Sequence, residues 1–211
     1  MTTKLSQGAE AIIYTDYKTV TKDRFEKKYR HPALDKELRK FRTRRESKIL
    51  EKLQEMNFPA PLLIEMDDST MKVHMEHVPG ELVKKVIDHL EEKKEEKKYL
   101  ALCKEIGEKI AVLHNAGIVH HDLTTSNMIL HNEKNEVYFI DFGLSFFSDK
   151  VEDYAVDLHL FKHALESRHH RIWEKCFDAA VSGYKKKAKQ GDETLKRLEK
   201  VEQRGRHKGK H

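Results

Sequence analysis

Alternating apolar and polar positions mark the first third of the chain as sheet, with one long helix set into it. Residues 4–14 read as strand, tight turn at Gly8 and strand, with Ala11, Ile12, Ile13 and Tyr14 after the glycine. Thr19-Val20-Thr21-Lys22 closes a further β-like run. Two more, 62–66 and 71–75, flank the polar turn Asp67-Asp68-Ser69-Thr70. Before them, residues 36–56 carry Leu38, Phe41, Ile49, Leu50, Leu53 and Met56 at helical spacing. Asn57-Phe58-Pro59-Ala60-Pro61 ends that helix, because proline lacks the amide donor and biases its predecessor away from helix.

The period then changes. Leu102, Cys103, Ile106, Ile110 and Leu113 share a helix face, and Gly117 stands where a helix C-cap belongs. Met128-Ile129-Leu130 and Val137-Tyr138-Phe139-Ile140 flank a polar hairpin, and further helical spacing follows from Val151, from Ile172 and through Leu195, Leu198 and Val201. The expected architecture is α+β in two lobes: a sheet-rich lobe over 1–76, a linker over 77–80 and a helical lobe over 81–203. Residues 204–211 are expected as a basic tail too polar and glycine-rich to pack. The charged run 91–98 mixes like charges at i,i+4 with opposite charges at i,i+3 and points to no function.

At 211 residues the chain can bury a sizeable core. No run approaches membrane-spanning length and the opening Met1-Thr2-Thr3-Lys4 has no signal-peptide core, so a soluble, cytoplasmic protein is expected, with the nucleus open. Cys103 and Cys176 lie at apolar positions without metal-ligand spacing and read as buried thiols. Charge is uneven. Residues 22–48 hold 12 Lys or Arg against 5 Asp or Glu, and residues 184–211 hold 11 against 4, so two basic stretches of +7 sit on a body of about −9 within a net +5. Either suits nucleic acid or an acidic protein, or is a solvated helix face.

The candidate chemistry centres on His120-His121-Asp122-Leu123-Thr124-Thr125-Ser126-Asn127, followed after the hairpin by Ile140-Asp141-Phe142-Gly143. An acid, an amide five residues on and a second acid opening Asp-Phe-Gly outline a kinase catalytic centre. Phosphoryl transfer asks the protein for positioning, metal ions and counter-charge. Asp122 suits the attacking hydroxyl, and Asn127 and Asp141 offer the hard oxygens magnesium prefers. The hairpin is expected to bring Asn127 and Asp141 to neighbouring strand ends. Upstream, Gln7, Gly8, Ala9, Glu10 and Ala11 occupy the place of a phosphate-covering loop, with one glycine rather than the full set. Lys22 falls where a third strand places the phosphate-pairing lysine. Glu46 lies on the helix's apolar face, where a buried acid needs a cation; Lys22 is the expected partner, with Arg42 one turn away as the local alternative. The linker residues Glu76 and Val78 are candidates for backbone contacts to adenine.

These motifs, with Tyr29-Arg30-His31-Pro32-Ala33-Leu34 and Arg204-Gly205-Arg206, resemble the small atypical serine/threonine kinase of the KEOPS complex over about residues 7–206. The resemblance implies an ATP- and magnesium-dependent protein that phosphorylates serine or threonine and hydrolyses ATP. It also implies partnership with the threonylcarbamoyl transferase subunit in making threonylcarbamoyladenosine on tRNA, with Arg204 and Arg206 turned to the nucleotide cleft or tRNA. No Ala-Pro-Glu triplet follows Asp141-Phe142-Gly143, and little chain separates it from the helix at Val151. Constitutive geometry, or control by a partner rather than by loop phosphorylation, is therefore expected. Asp157 is expected to brace the catalytic loop, or else to be a first-turn helix aspartate. His121 departs from the resembling family, which usually has glycine there. Alternatives are a nucleotide-binding scaffold with little turnover, a small-molecule phosphotransferase, and a chiefly RNA-binding protein.

Overall fold

The computed structural model describes residues 2–8 and 10–207, with side chains through Arg204. The chain forms two compact units: residues up to Pro79 together with Tyr138–Leu144, and Gly80–Val137 with Ser145 onward. The metal-loop triplet 141–143, assigned above to the helical half, thus belongs with the sheet unit, because Phe139 docks there: its amide donates to Pro59 O at 2.9 Å and its ring meets Phe58 edge-on at 5.6 Å.

In the sheet unit, β1 (Thr3–Gln7), β2 (Ile12–Thr15) and β3 (Thr19–Asp23) precede α1 (Pro32–Glu55), and β4 (Leu63–Asp67) and β5 (Lys72–Glu76) follow it. The five strands form one antiparallel sheet in the order β1-β2-β3-β5-β4, so β3 is paired on both sides. The helix begins earlier than the apolar spacing announced. Pro32 stands in its first turn, where a fixed φ costs nothing. Asp35 is buried there, held by Arg39 at 2.7 Å and Arg30 at 3.6 Å. The inward stripe of the first turns is polar (Asp35, Thr43, Glu46, Ser47) and becomes apolar at Ile49, Leu50 and Leu53. Phe41, expected on the inward face, is exposed and lies against the Arg45 guanidinium. The end of α1 follows from Asn57, which adopts φ +52 while its amide donates to Gln54 O at 3.0 Å and that of Phe58 to Leu53 O at 2.9 Å, a Schellman pair.

The second unit holds β6 (Gly80–Leu82), α2 (Val83–Glu92), α3 (Glu96–Asn115), β7 (Ile118–Val119), β8 (Met128–His131) and the start of β9 (Val137–Phe139). It continues with β10 (Phe146–Phe147), α4 (Val151–Arg168), α5 (Trp173–Lys187) and α6 (Gly191–His207). β6 pairs antiparallel with β8, and β7 with β10. The charged run 91–98 is the break between α2 and α3, with Lys94 at φ +57 closing α2. Gly117 ends α3 at φ +71. α3 and α5 cross at backbone contact: a Cβ on Gly107 would lie 1.8 Å from Ala180 O, and one on Gly183 2.1 Å from Lys104 O. Cys103 and Cys176 are buried at this crossing as free thiols, and hydrogen bonding to Cys176 together with burial holds the Cys103 thiol well above its ordinary pKa. α6 packs on α4 and runs to His207, so Arg204 is helical and paired with Glu152 at 2.7 Å rather than in a loose tail. No described helix is long and apolar enough to cross a membrane.

Candidate functional site

In the sheet unit the chemistry gathers on Lys22. Its position on β3, flanked by β2 and β5, aims the side chain at α1, and it is only 8% exposed. Lys22 Nζ donates to Glu46 Oε1 at 2.8 Å and to Asp141 Oδ1 at 2.5 Å. Burial alone would lower the lysine's pKa, but the two carboxylates outweigh it and hold the ammonium above its ordinary value. The second oxygen of Glu46 is taken by Arg24 Nη2. Arg24 looked like one more solvated cation of the basic stretch; it is 2% exposed. Two buried cations thus face two carboxylates. Asp141 stands at φ +61, a conformation aspartate tolerates better than bulkier residues, and stays half-exposed. A Cβ on Gly143 would lie 2.8 Å from Lys22 Nζ, so the glycine makes room for the lysine.

The other residues proposed for this unit are spread around it. Gly8 N donates to Ala11 O at 2.9 Å, closing the β1–β2 turn, and Gln7 accepts from Lys4 Nζ at 2.6 Å. Ala11 is buried, and Ala9 lies outside the described residues. Glu10 is engaged by Arg42 at 2.5 Å and Arg30 at 3.2 Å. Burial would raise its pKa; the two guanidiniums bring it below the ordinary value. Arg42 is therefore committed to Glu10, not to Glu46. The Glu76 amide is spent on Leu62 O at 2.9 Å, the side chain is exposed, and Val78 is buried.

In the helical unit, Asp157 of α4 receives the amides of His120 on Oδ2 and His121 on Oδ1, both at 2.8 Å. This is the brace expected from the sequence, and its other half was not. His114 Nε2 lies 3.2 Å from Asp157 Oδ2, its Nδ1 lies 2.9 Å from the Tyr184 hydroxyl, and its ring stacks on Tyr154 at 4.5 Å. His121 sits at φ +63, where glycine is free and a side chain is strained by about 1 kcal/mol. Asn127 Nδ2 donates to Asp122 Oδ2 at 2.8 Å and to Asp122 O at 2.9 Å, which fixes the acid and leaves Asn127 Oδ1 as an oxygen donor.

Each unit thus carries an oxygen donor suited to magnesium: Asn127 in one, Asp141 in the other. Among the described residues no group of three or more His, Cys, Asp or Glu could hold a metal. Magnesium in phosphoryl-transfer sites takes one or two protein ligands plus phosphate and water, and each of these oxygens, taken within its own unit, is of the kind it accepts. Arg204 pairs with Glu152, and the Arg206 side chain lies outside the described residues.

A protein kinase domain model matches residues 1–160. A KEOPS complex subunit Bud32 from Pyrococcus abyssi is 43% identical over 216 residues, covering 97% of this chain and 96% of that one. A probable bifunctional tRNA threonylcarbamoyladenosine biosynthesis protein of Methanothermobacter thermautotrophicus is 37% identical over 207 residues, covering 96% of this chain and 36% of that protein. The Rio2 kinase of Chaetomium thermophilum, solved as an ADP/Mg2+-phosphoaspartate complex, superposes with a TM-score of 0.61 at 17% identity over 96% of this chain and 70% of that one, a likeness of fold. End-to-end identity at this level, on a protein kinase fold, means that the chain belongs to the Bud32 family of atypical kinases.

Proposed function

We propose that this chain uses ATP with magnesium to phosphorylate serine or threonine hydroxyls and to hydrolyse ATP, as a cytoplasmic subunit of a KEOPS-type assembly that makes threonylcarbamoyladenosine on tRNA. The observation that carries the reading is the buried Lys22–Glu46 pair with Asp141 on the same ammonium. A fully charged, immobilised ammonium with one N–H left over is the group that α- and β-phosphate oxygens require. Glu46 sets its position. Asp122, held by Asn127, orients the attacking hydroxyl or water by accepting its hydrogen bond. Bound magnesium would supply charge neutralisation at the phosphates, with Asn127 Oδ1 and the Asp141 carboxylate as protein donors.

Membership in the Bud32 family supports the assembly. In the probable bifunctional relative, the stretch matching this chain is 36% of a longer tRNA threonylcarbamoyladenosine biosynthesis protein, which supports a second protein of that synthesis as its neighbour. Arg204 and Arg206 are the proposed contacts to tRNA or partner, through phosphates that would compete with Glu152 for Arg204. The test compares wild type with Asp141→Ala for ATP hydrolysis and phosphate transfer to protein, with and without tRNA and the transferase. A loss of about 100-fold or more in the variant is expected. Equal rates would end the enzyme reading and leave a nucleotide-binding scaffold.

A further inference from the structure

Thr125 stands between Asp122 and Asn127 with its side chain buried, and its hydroxyl lies 3.1 Å from His169 Nε2. His169 closes the C-terminal end of α4 and is only 1% exposed. Its Nδ1 lies 3.2 Å from Asp88 Oδ1 of α2, an ion-pair distance with poorer alignment than a hydrogen bond. The other Asp88 oxygen pairs with Arg168. α2 also reaches the loop through its main chain, with Lys84 N donating to Thr125 O at 2.9 Å.

These contacts hold Thr125 by side chain and backbone together. A carboxylate beside Nδ1 favours the proton on that nitrogen, which leaves the Nε2 lone pair to accept a hydrogen bond from the Thr125 hydroxyl. Burial holds the His169 pKa below the ordinary imidazole value even though Asp88 opposes it, in keeping with a neutral ring at neutral pH. A buried hydroxyl that loses its acceptor is penalised, so the ring admits few positions of Thr125. Asn127 is tied to the same turn, its amide donating to Thr124 O at 3.0 Å.

We propose that His169, oriented by Asp88, is a positioning residue that fixes Thr125 and through it the spacing of Asp122 and Asn127. It acts through Thr125 and is itself almost wholly buried. Its kinetic consequence rests on the proposed phosphotransfer, whereas its structural consequence does not.

The test uses the full chain with three single variants and one double. Thr125→Val keeps the shape and removes the hydroxyl, His169→Phe removes the acceptor, and His169→Gln restores a polar group near the Nε2 position. Thr125→Val and His169→Phe are each expected to lower kcat about tenfold with KM for Mg·ATP within about twofold. The double variant should be no worse than either single, and His169→Gln should recover most of the loss. In parallel, the Asn127 amide should exchange with solvent about tenfold faster in Thr125→Val, with β2 and β3 amides unchanged. Unchanged kcat and exchange in Thr125→Val, multiplicative losses in the double, or a His169→Gln as impaired as His169→Phe would each overturn the proposal. Should wild type show no turnover beyond that of Asp141→Ala, the functional reading fails, and exchange alone decides the brace: faster supports it, unchanged overturns it. Should His169→Phe fail to fold, the isosteric Thr125→Val carries both measurements.

Discussion

Neutralising Glu46 and neutralising Lys22 should have very different consequences, although the two form one ion pair. Two cations, Lys22 and Arg24, and two carboxylates, Glu46 and Asp141, make up the cluster, and Glu46 is the member that meets both cations. Glu46→Gln takes the carboxylate that both buried cations share and leaves Lys22 with the half-exposed Asp141. Removing one partner of a buried pair costs about 3–5 kcal/mol, because the remaining charge stays desolvated. Lys22→Met leaves Glu46 paired with Arg24, fills the space with an apolar chain of similar length, and takes one cation from an Asp141 that water already reaches. Its cost should be about 1 kcal/mol or less. For a chain of this size, 1 kcal/mol moves Tm by roughly 2–4 °C, so Glu46→Gln should melt about 10 °C below wild type and Lys22→Met within about 3 °C of it. Calorimetry with urea titration measures both, and nucleotide turnover should vanish in Lys22→Met while the fold stays intact. The reasoning is refuted if Glu46→Gln costs under about 1 kcal/mol, or if the lysine variant is as unstable as the glutamate variant.

Gly107→Ala and Gly183→Ala, which on an exposed helix would stabilise by about 1 kcal/mol, should each destabilise by about 3 kcal/mol or more, since the new methyl meets a backbone carbonyl at the α3–α5 crossing; urea midpoints report the sign. Asp157→Ala orphans the amides of His120 and His121 and should cost about 2–5 kcal/mol, with Asp157→Asn in between because one oxygen remains. His169 faces Asp88 and Arg168, and its pKa is lowered in the folded chain, so the unfolded chain takes up the proton first as pH falls. The stability tied to a neutral His169 is fully present above about pH 6.5 and is lost as pH falls through the lowered folded value; His169→Phe should flatten that part of the urea midpoint against pH, and unchanged slopes would count against it.

Much of the sheet unit was legible because its signals are local. The turn at Gly8, the strands around Asp67-Asp68-Ser69-Thr70 and the stop at Asn57 are written in residues adjacent along the chain, and each is present in the fold. Glu46 was legible as a buried acid because three apolar residues share its helix face. Arg24 was not, since a cation among cations looks the same whether it faces water or a carboxylate. Phe41 misled for the converse reason: an apolar residue at helical spacing counts toward the core only if an element covers it, and the first turns of α1 are covered through Asp35, Thr43 and Glu46.

By itself, the sequence determined the longer strands and helices in their order, the two-lobed α+β class and the acid–amide–acid spacing of the loop, because these depend on periodicity and on distance along the chain; β6, α2, β7 and β10 were not read from it. Tertiary structure alone decided that His114 backs Asp157 and His169 grips Thr125, that Arg24 shares Glu46 with Lys22, and that Gly107 and Gly183 let α3 and α5 touch. Those outcomes depend on which surfaces meet across 22 to 119 residues of chain, and no spacing along the chain records whether a polar side chain arriving there will find its counterpart or water.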